Sequence, residues 1–201
     1  MADNNLNIDI VKFRLVGVSP LLMHAPNTVD PLNEYSVMLS ERTSKRKKTQ
    51  DDQLEIAKIQ WMAAMYHDEN LGPYVPDNMI KAMMIKSAAK TKDGPKVRGG
   101  LYLNTPKMAL EYEGPRDIAS LWADKNFVDK RPVVVQRNRV MRYRPVFNEW
   151  AVTVEFCVDL DVIDISDIKR FLNTGGNLIG IGDYRPQCGG SMGRFMWEDV
   201  R

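Results

Sequence analysis

Seven of the thirteen glycines fall between positions 175 and 193, interleaved with Tyr184, Arg185 and Arg194. Glycine lets main-chain amides approach a ligand with no Cβ in the way, so such a loop can wrap a phosphate backbone. The donors would come from Gly180, Gly182, Gly189, Gly190 and Gly193. Neither Gly-x-x-x-x-Gly-Lys-Ser/Thr nor a Gly-x-Gly-x-x-Gly between a strand and a helix is present, which argues against a mononucleotide or dinucleotide cradle. The alternative is a loop whose glycines serve only tight turns.

Cations that would hold phosphates come in three stretches: Arg42, Lys45, Arg46, Lys47 and Lys48; then Lys81, Lys86, Lys90 and Lys92; then Lys130, Arg131, Arg137, Arg139, Arg142 and Arg144. The net charge is only +2, so their clustering, and not bulk charge, points to a nucleic acid. Tyr35 ahead of the first stretch, Tyr143 between two arginines of the third, and Tyr184 between Asp183 and Arg185 could stack bases. A charge run is otherwise a solvated surface. His24 and His67 are the only histidines, which gives nucleophilic catalysis thin support. Cys157, His67 and the acids lack metal-ligand spacing, so neither a metal nor another cofactor is expected.

Length and composition fit one domain with a proper core and long insertions, at about 18–75 and 94–130. Two cysteines make no disulfide framework, no N-terminal signal peptide is read, and no apolar run approaches a membrane span. A cytoplasmic protein that does not enter membranes is expected.

Several elements are predicted to position these residues. Val11, Phe13 and Leu15 alternate with Lys12 and Arg14 in a strand over 7–17. Segment 18–50 reads as an excursion. Asp51 or Asp52 caps a helix to about Tyr66, and Pro76 and Asp77 open another to about 91. Short strands are predicted at 101–104 and 107–113, with a small helix at 116–124. Segment 132–144 and the strict alternation from Trp150 to Val158 predict a hairpin turning at Asn148-Glu149, with Arg142 opposite Glu155. Ser166 caps a helix to about Leu172, and a last strand runs over 193–200. Without the insertions the order is strand, helix, strand, strand, helix, strand: an α+β, ferredoxin-like (RRM-like) antiparallel sheet with two helices on one face.

Gly17-Val18-Ser19-Pro20-Leu21 after the first strand, Tyr74-Val75-Pro76-Asp77-Asn78-Met79-Ile80-Lys81-Ala82 opening a helix, and the glycine loop with Gly193-Arg194-Phe195 resemble the RAMP superfamily. This group of ferredoxin-like proteins includes CRISPR-associated backbone and guide-processing subunits. The resemblance implies single-stranded nucleic acid as partner, RNA favoured over DNA, and assembly into a homo-oligomer or filament. The setting would be a CRISPR complex or an orphan, for example phage-encoded, relative. It implies that Lys81, Lys86, Arg185 and Arg194 border a nucleic-acid groove, and that 31–50 is a thumb or intersubunit arm. For an endoribonuclease of this group it implies His24 as general base or Asp30 as a metal-dependent cleavage residue. A third possibility is a structural or inhibitory protein that docks onto a partner complex.

Overall fold

A computed structural model describes residues 7–135 and 137–200. In chain order the elements are β1 (Ile8–Gly17), β2 (Leu21–Leu22), α1 (Glu34–Thr43), α2 (Gln50–Ala64), β3 (His67–Asp68), β4 (Gly72–Pro76), α3 (Asp77–Ala89), α4 (Gly94–Gly100), β5 (Leu101–Tyr102), β6 (Lys107–Ala109), α5 (Ile118–Ala123), β7 (Val128–Val135), β8 (Asn138–Phe147), β9 (Ala151–Asp159), α6 (Ile165–Thr174) and β10 (Phe195–Val200). The class is α+β with antiparallel sheets. Among the described residues no helix is long and apolar enough to cross a membrane.

The chain divides into two compact units, the first made of Met1–Leu21, Tyr74–Tyr112 and Glu149–Arg201, the second of Leu22–Pro73 and Glu113–Asn148. In the first, four strands lie in the order β10-β1-β9-β5, each antiparallel to its neighbour. Alternation sends Phe13, Leu15, Val152, Val154, Phe156 and Phe195 into the core, where Ile80 and Met84 of α3 and Ile168, Phe171 and Leu172 of α6 are also buried. Trp197 meets Phe13 edge to face at 5.3 Å. Trp150 latches the end of β1: its indole N–H donates to Ser19 O at 2.9 Å, and its ring lies where a Cβ on Gly17 would stand.

In the second unit β8 pairs with β7 in an antiparallel ladder. Helix α2 packs on β8, burying Trp61, whose indole donates to Phe127 O at 2.9 Å, while Phe127 stacks at a tilt on Phe147. Thr49 caps α2 in a capping box with Asp52, so the cap lies two residues ahead of the expected Asp51, with Asp52 at its third helical position. The excursion at 18–50 also holds α1, capped by Asn33 and without a fully buried residue.

The expected hairpin between 132–144 and 149–160 does not form. β8 pairs with β7, so Arg142 lies opposite Arg131, while β9 pairs with β1 and Glu155 meets Lys12 at 3.0 Å. Alternation fixes which face a residue takes but not which strand comes alongside. The last helix starts at Ile165 after Asp164, so Ser166 lies inside it and does not cap it.

Candidate functional site

The basic run after α1 is partly absorbed by the acidic start of α2. Arg42 meets Glu55 at 3.3 Å, Lys45 binds the Asp52 carboxylate, and the Lys48 ammonium donates to Lys45 O at 2.9 Å. The Lys45 hydrogen bond, helped by the Thr49 amide, lowers the Asp52 carboxyl to about 2. Arg46 and Lys47 are exposed and have no hydrogen-bond or ion-pair partner among the described residues.

The β7–β8 ribbon carries the other group. Arg137 sits in its turn with φ of 70°, a left-handed conformation that costs a non-glycine residue about 1 kcal/mol. Arg137 and Arg139 are exposed, and Arg139 lies opposite Val134. Arg131 is held by both oxygens of Asp129, whereas Arg142, opposite it, has no partner among the described residues. Like charges facing each other across a ladder are destabilising by up to about 1 kcal/mol. Arg142 lines a cavity of about 430 Å3 together with Tyr143, Arg144, His24, Gln60 and Thr28, all of the second unit. The Lys130 ammonium stands 5.6 Å from the centre of the Tyr143 ring.

The remaining candidates belong to the first unit. The loop after α6 closes on itself. Gly193, at φ of 68°, donates to Pro20 O, and a Cβ there would stand 1.8 Å from Ile181 O; one on Gly190 would stand 1.8 Å from Tyr184 O. Gly180, Gly182 and Gly189 also take positive φ, and the amides of 180, 181, 188, 189, 190, 192 and 193 donate to chain carbonyls. Close backbone packing therefore accounts for much of the glycine content. Arg185 donates to Gly182 O at 2.8 Å and Arg194 to Asn177 O at 2.6 Å. Tyr184 is 46% exposed and adopts φ of 51°.

Lys81 on α3 reaches the carbonyls of Val97, at 2.7 Å, and Leu101, clamping the C-terminal end of α4, and burial lowers its pKa. Lys86 is half-buried on the same helix. On the sheet face opposite Phe13 and Leu15, Arg14 meets Glu111 at 2.8 Å and Glu198 at 3.7 Å, while Thr153 donates to the other Glu111 oxygen at 2.9 Å. Chiefly through that Glu111 contact, the Arg14 guanidinium is held even more firmly charged than usual.

His24 is exposed at the cavity of the second unit, whereas the Asp30 side chain accepts the Leu32 amide in a tight turn. Among the described residues no three His, Cys, Asp or Glu side chains are placed to hold a metal ion. Sequence reasoning singled out Tyr143 between its two arginines, but Gln60 and Thr28 carried no signal because they reach the cavity from separate segments. No family model matches the sequence, and no curated protein matches it either.

Proposed function

We propose that this protein binds single-stranded nucleic acid, RNA in preference to DNA, through cations of its second unit, and assembles along the bound strand. The observation that carries the reading is the β7–β8 ribbon, where Arg137, Arg139 and Arg142 have no partner among the described residues and Arg142 lies opposite a second arginine. A ribbon with this charge is poorly matched to itself and well matched to a phosphate backbone. Arg46 and Lys47 add to it.

The first unit supports the same reading. Taken in sequence, β1, α3, β5, β9, α6 and β10 with the sheet order β10-β1-β9-β5 support reading this unit as a ferredoxin-like core. The resemblance to RAMP proteins brings RNA and assembly with it. The test is the purified protein's absorbance ratio at 260 and 280 nm before and after nuclease, followed by titration with labelled single strands over a range of salt. Binding that weakens steeply with salt, and a complex larger than one protein per strand on sizing, are expected. Affinity independent of ionic strength would contradict the proposal.

A second reading, RNA cleavage with His24 as general base, draws on the place of His24 at the same cavity as Arg142 and Arg144. Labelled RNA left intact with and without a divalent metal eliminates it.

A further inference from the structure

One face of the β7–β8 ribbon is exposed and largely apolar. Cross-strand partners share a face and successive pairs alternate between faces. Lys130 with Tyr143, Pro132 with Met141 and Val134 with Arg139 therefore lie on one side, and Asp129 with Arg144, Arg131 with Arg142 and Val133 with Val140 on the other. Val134 is 69% and Met141 43% exposed, and Pro132 is exposed beside Met141. Lys130 and Arg139, at the two ends of this apolar stretch, are exposed and have no ion-pair partner among the described residues.

Helix α1 carries the opposite charge pattern. Arg42 reaches Glu55 of α2, while Glu34, Val37, Met38 and Glu41 recur at helical spacing and are exposed. Val29, 80% exposed, and Pro31 join Val37 and Glu41 along a groove of about 390 Å3 beside the helix. Glu34 and Glu41 have no ion-pair partner among the described residues. The rise along the helix from Glu34 to Glu41 is about 10 Å, and that along β7 from Lys130 to Val134 is about 13 Å. Both surfaces belong to the second unit and both stay exposed in one chain, so an apolar groove flanked by acids and an apolar ridge flanked by cations are left for another molecule.

We infer that the ribbon ridge of one copy docks on α1 of the next, Val134 and Met141 entering the groove beside Val29 and Val37 while Lys130 and Arg139 meet Glu34 and Glu41. Ridge and groove are different surfaces, so each copy keeps one of them for a further neighbour and the contact propagates head to tail. The inference rests on the proposed assembly along a strand for its setting, and it leaves Arg142, on the other face of the ribbon, for phosphates.

The full chain, treated with nuclease, is followed by sedimentation velocity over a range of concentration. It is then titrated with an oligouridylate short enough for one protein and with a long one. The proteins compared are the wild type, a ridge variant (Val134→Gln with Met141→Gln), a groove variant (Val29→Gln with Val37→Gln), and Ile10→Gln on the sheet of the first unit as a control. None of these changes alters the charge. Thermal melts verify folding, and the single changes Val134→Gln and Val29→Gln, at the more exposed residue of each pair, keep the test valid if a double variant does not fold. The wild type and the control are expected to associate as concentration rises and to bind the long strand cooperatively. Each double variant is expected to weaken association about a hundredfold, and each single change about tenfold, with affinity for the short strand unchanged. Mixing the ridge and groove variants restores one contact and stops at a species of two, as a head-to-tail contact requires. If the wild type stays monomeric without a strand and binds the long one without cooperativity, or if both double variants associate as it does, the contact is refuted, and short-strand binding still upholds the proposed ligand. If the ridge variant alone loses affinity for the short strand, the ridge holds bases and not a neighbour, and the contact is likewise overturned. Association lost as expected in a protein that binds neither strand leaves the contact standing and overturns strand binding.

Discussion

On the sheet of the first unit Lys12 meets Glu155 and Arg14 meets Glu111 and Glu198, whereas on the ribbon of the second unit Arg131 lies opposite Arg142, and Arg137 and Arg139 have no acid partner among the described residues. Both surfaces are strands rich in cations. The first neutralises itself, and its Lys81, Arg185 and Arg194 likewise donate to its own carbonyls. The second retains unneutralised charge. Counting cations along a chain therefore says less about binding than asking which of them lack an acid in the folded protein.

The comparison breaks most decisively at the glycine loop. Gly193→Ala would force a Cβ to within 1.8 Å of Ile181 O at a left-handed φ, and a loss of about 3 kcal/mol or more is expected, read as a lower melting temperature. If the variant melts like the wild type yet no longer binds strands, the loop serves a ligand and the contrast between the units collapses.

Next comes the triple change Arg137→Gln, Arg139→Gln, Arg142→Gln. It is expected to flatten the slope of log affinity against log salt by about 2 for a single strand, while Lys12→Gln with Arg14→Gln leaves the slope unchanged. Equal slopes in the two sets would mean that paired and unpaired cations contribute alike.

Acid titration addresses the cations that are already engaged. The folded Asp52 carboxyl lies below its ordinary value, so its stabilisation of the Lys45–Thr49 latch is complete above about pH 4 and is lost as pH falls through about 2. Faster amide exchange at Thr49 and Asp52 over that window is expected. Asp52→Asn should remove the window and release Lys45, leaving strand affinity equal or tighter; weaker binding would show that the latch itself matters to the ligand.

The smallest effect belongs to the first unit's exposed pairs. Arg14→Ala should cost about 0.2 to 1 kcal/mol and leave strand binding untouched. A marked loss of affinity would extend the interface to that sheet.

The fold was legible where periodicity is strong. The strands at 8–17 and 151–159, the helix after Pro76 and the final strand all follow from local pattern and breakers. The ribbon was misread because alternating valines on one segment suit several partners, and β7 competes with β9 for β8. Of the candidate site, Arg137 and Arg139 are exposed, and the Lys81 ammonium donates to the carbonyls of Val97 and Leu101, contacts that local spacing does not encode.

The sequence by itself determined which residues carry charge, which positions admit close backbone contact, and most helix and strand segments, because these depend on side-chain type and near neighbours. Only the tertiary structure decided which cations found an acid and that Gln60 and Thr28 share a cavity with Arg142. Ion pairing and cavity lining depend on contacts between residues far apart in the chain, and local spacing carries no record of them.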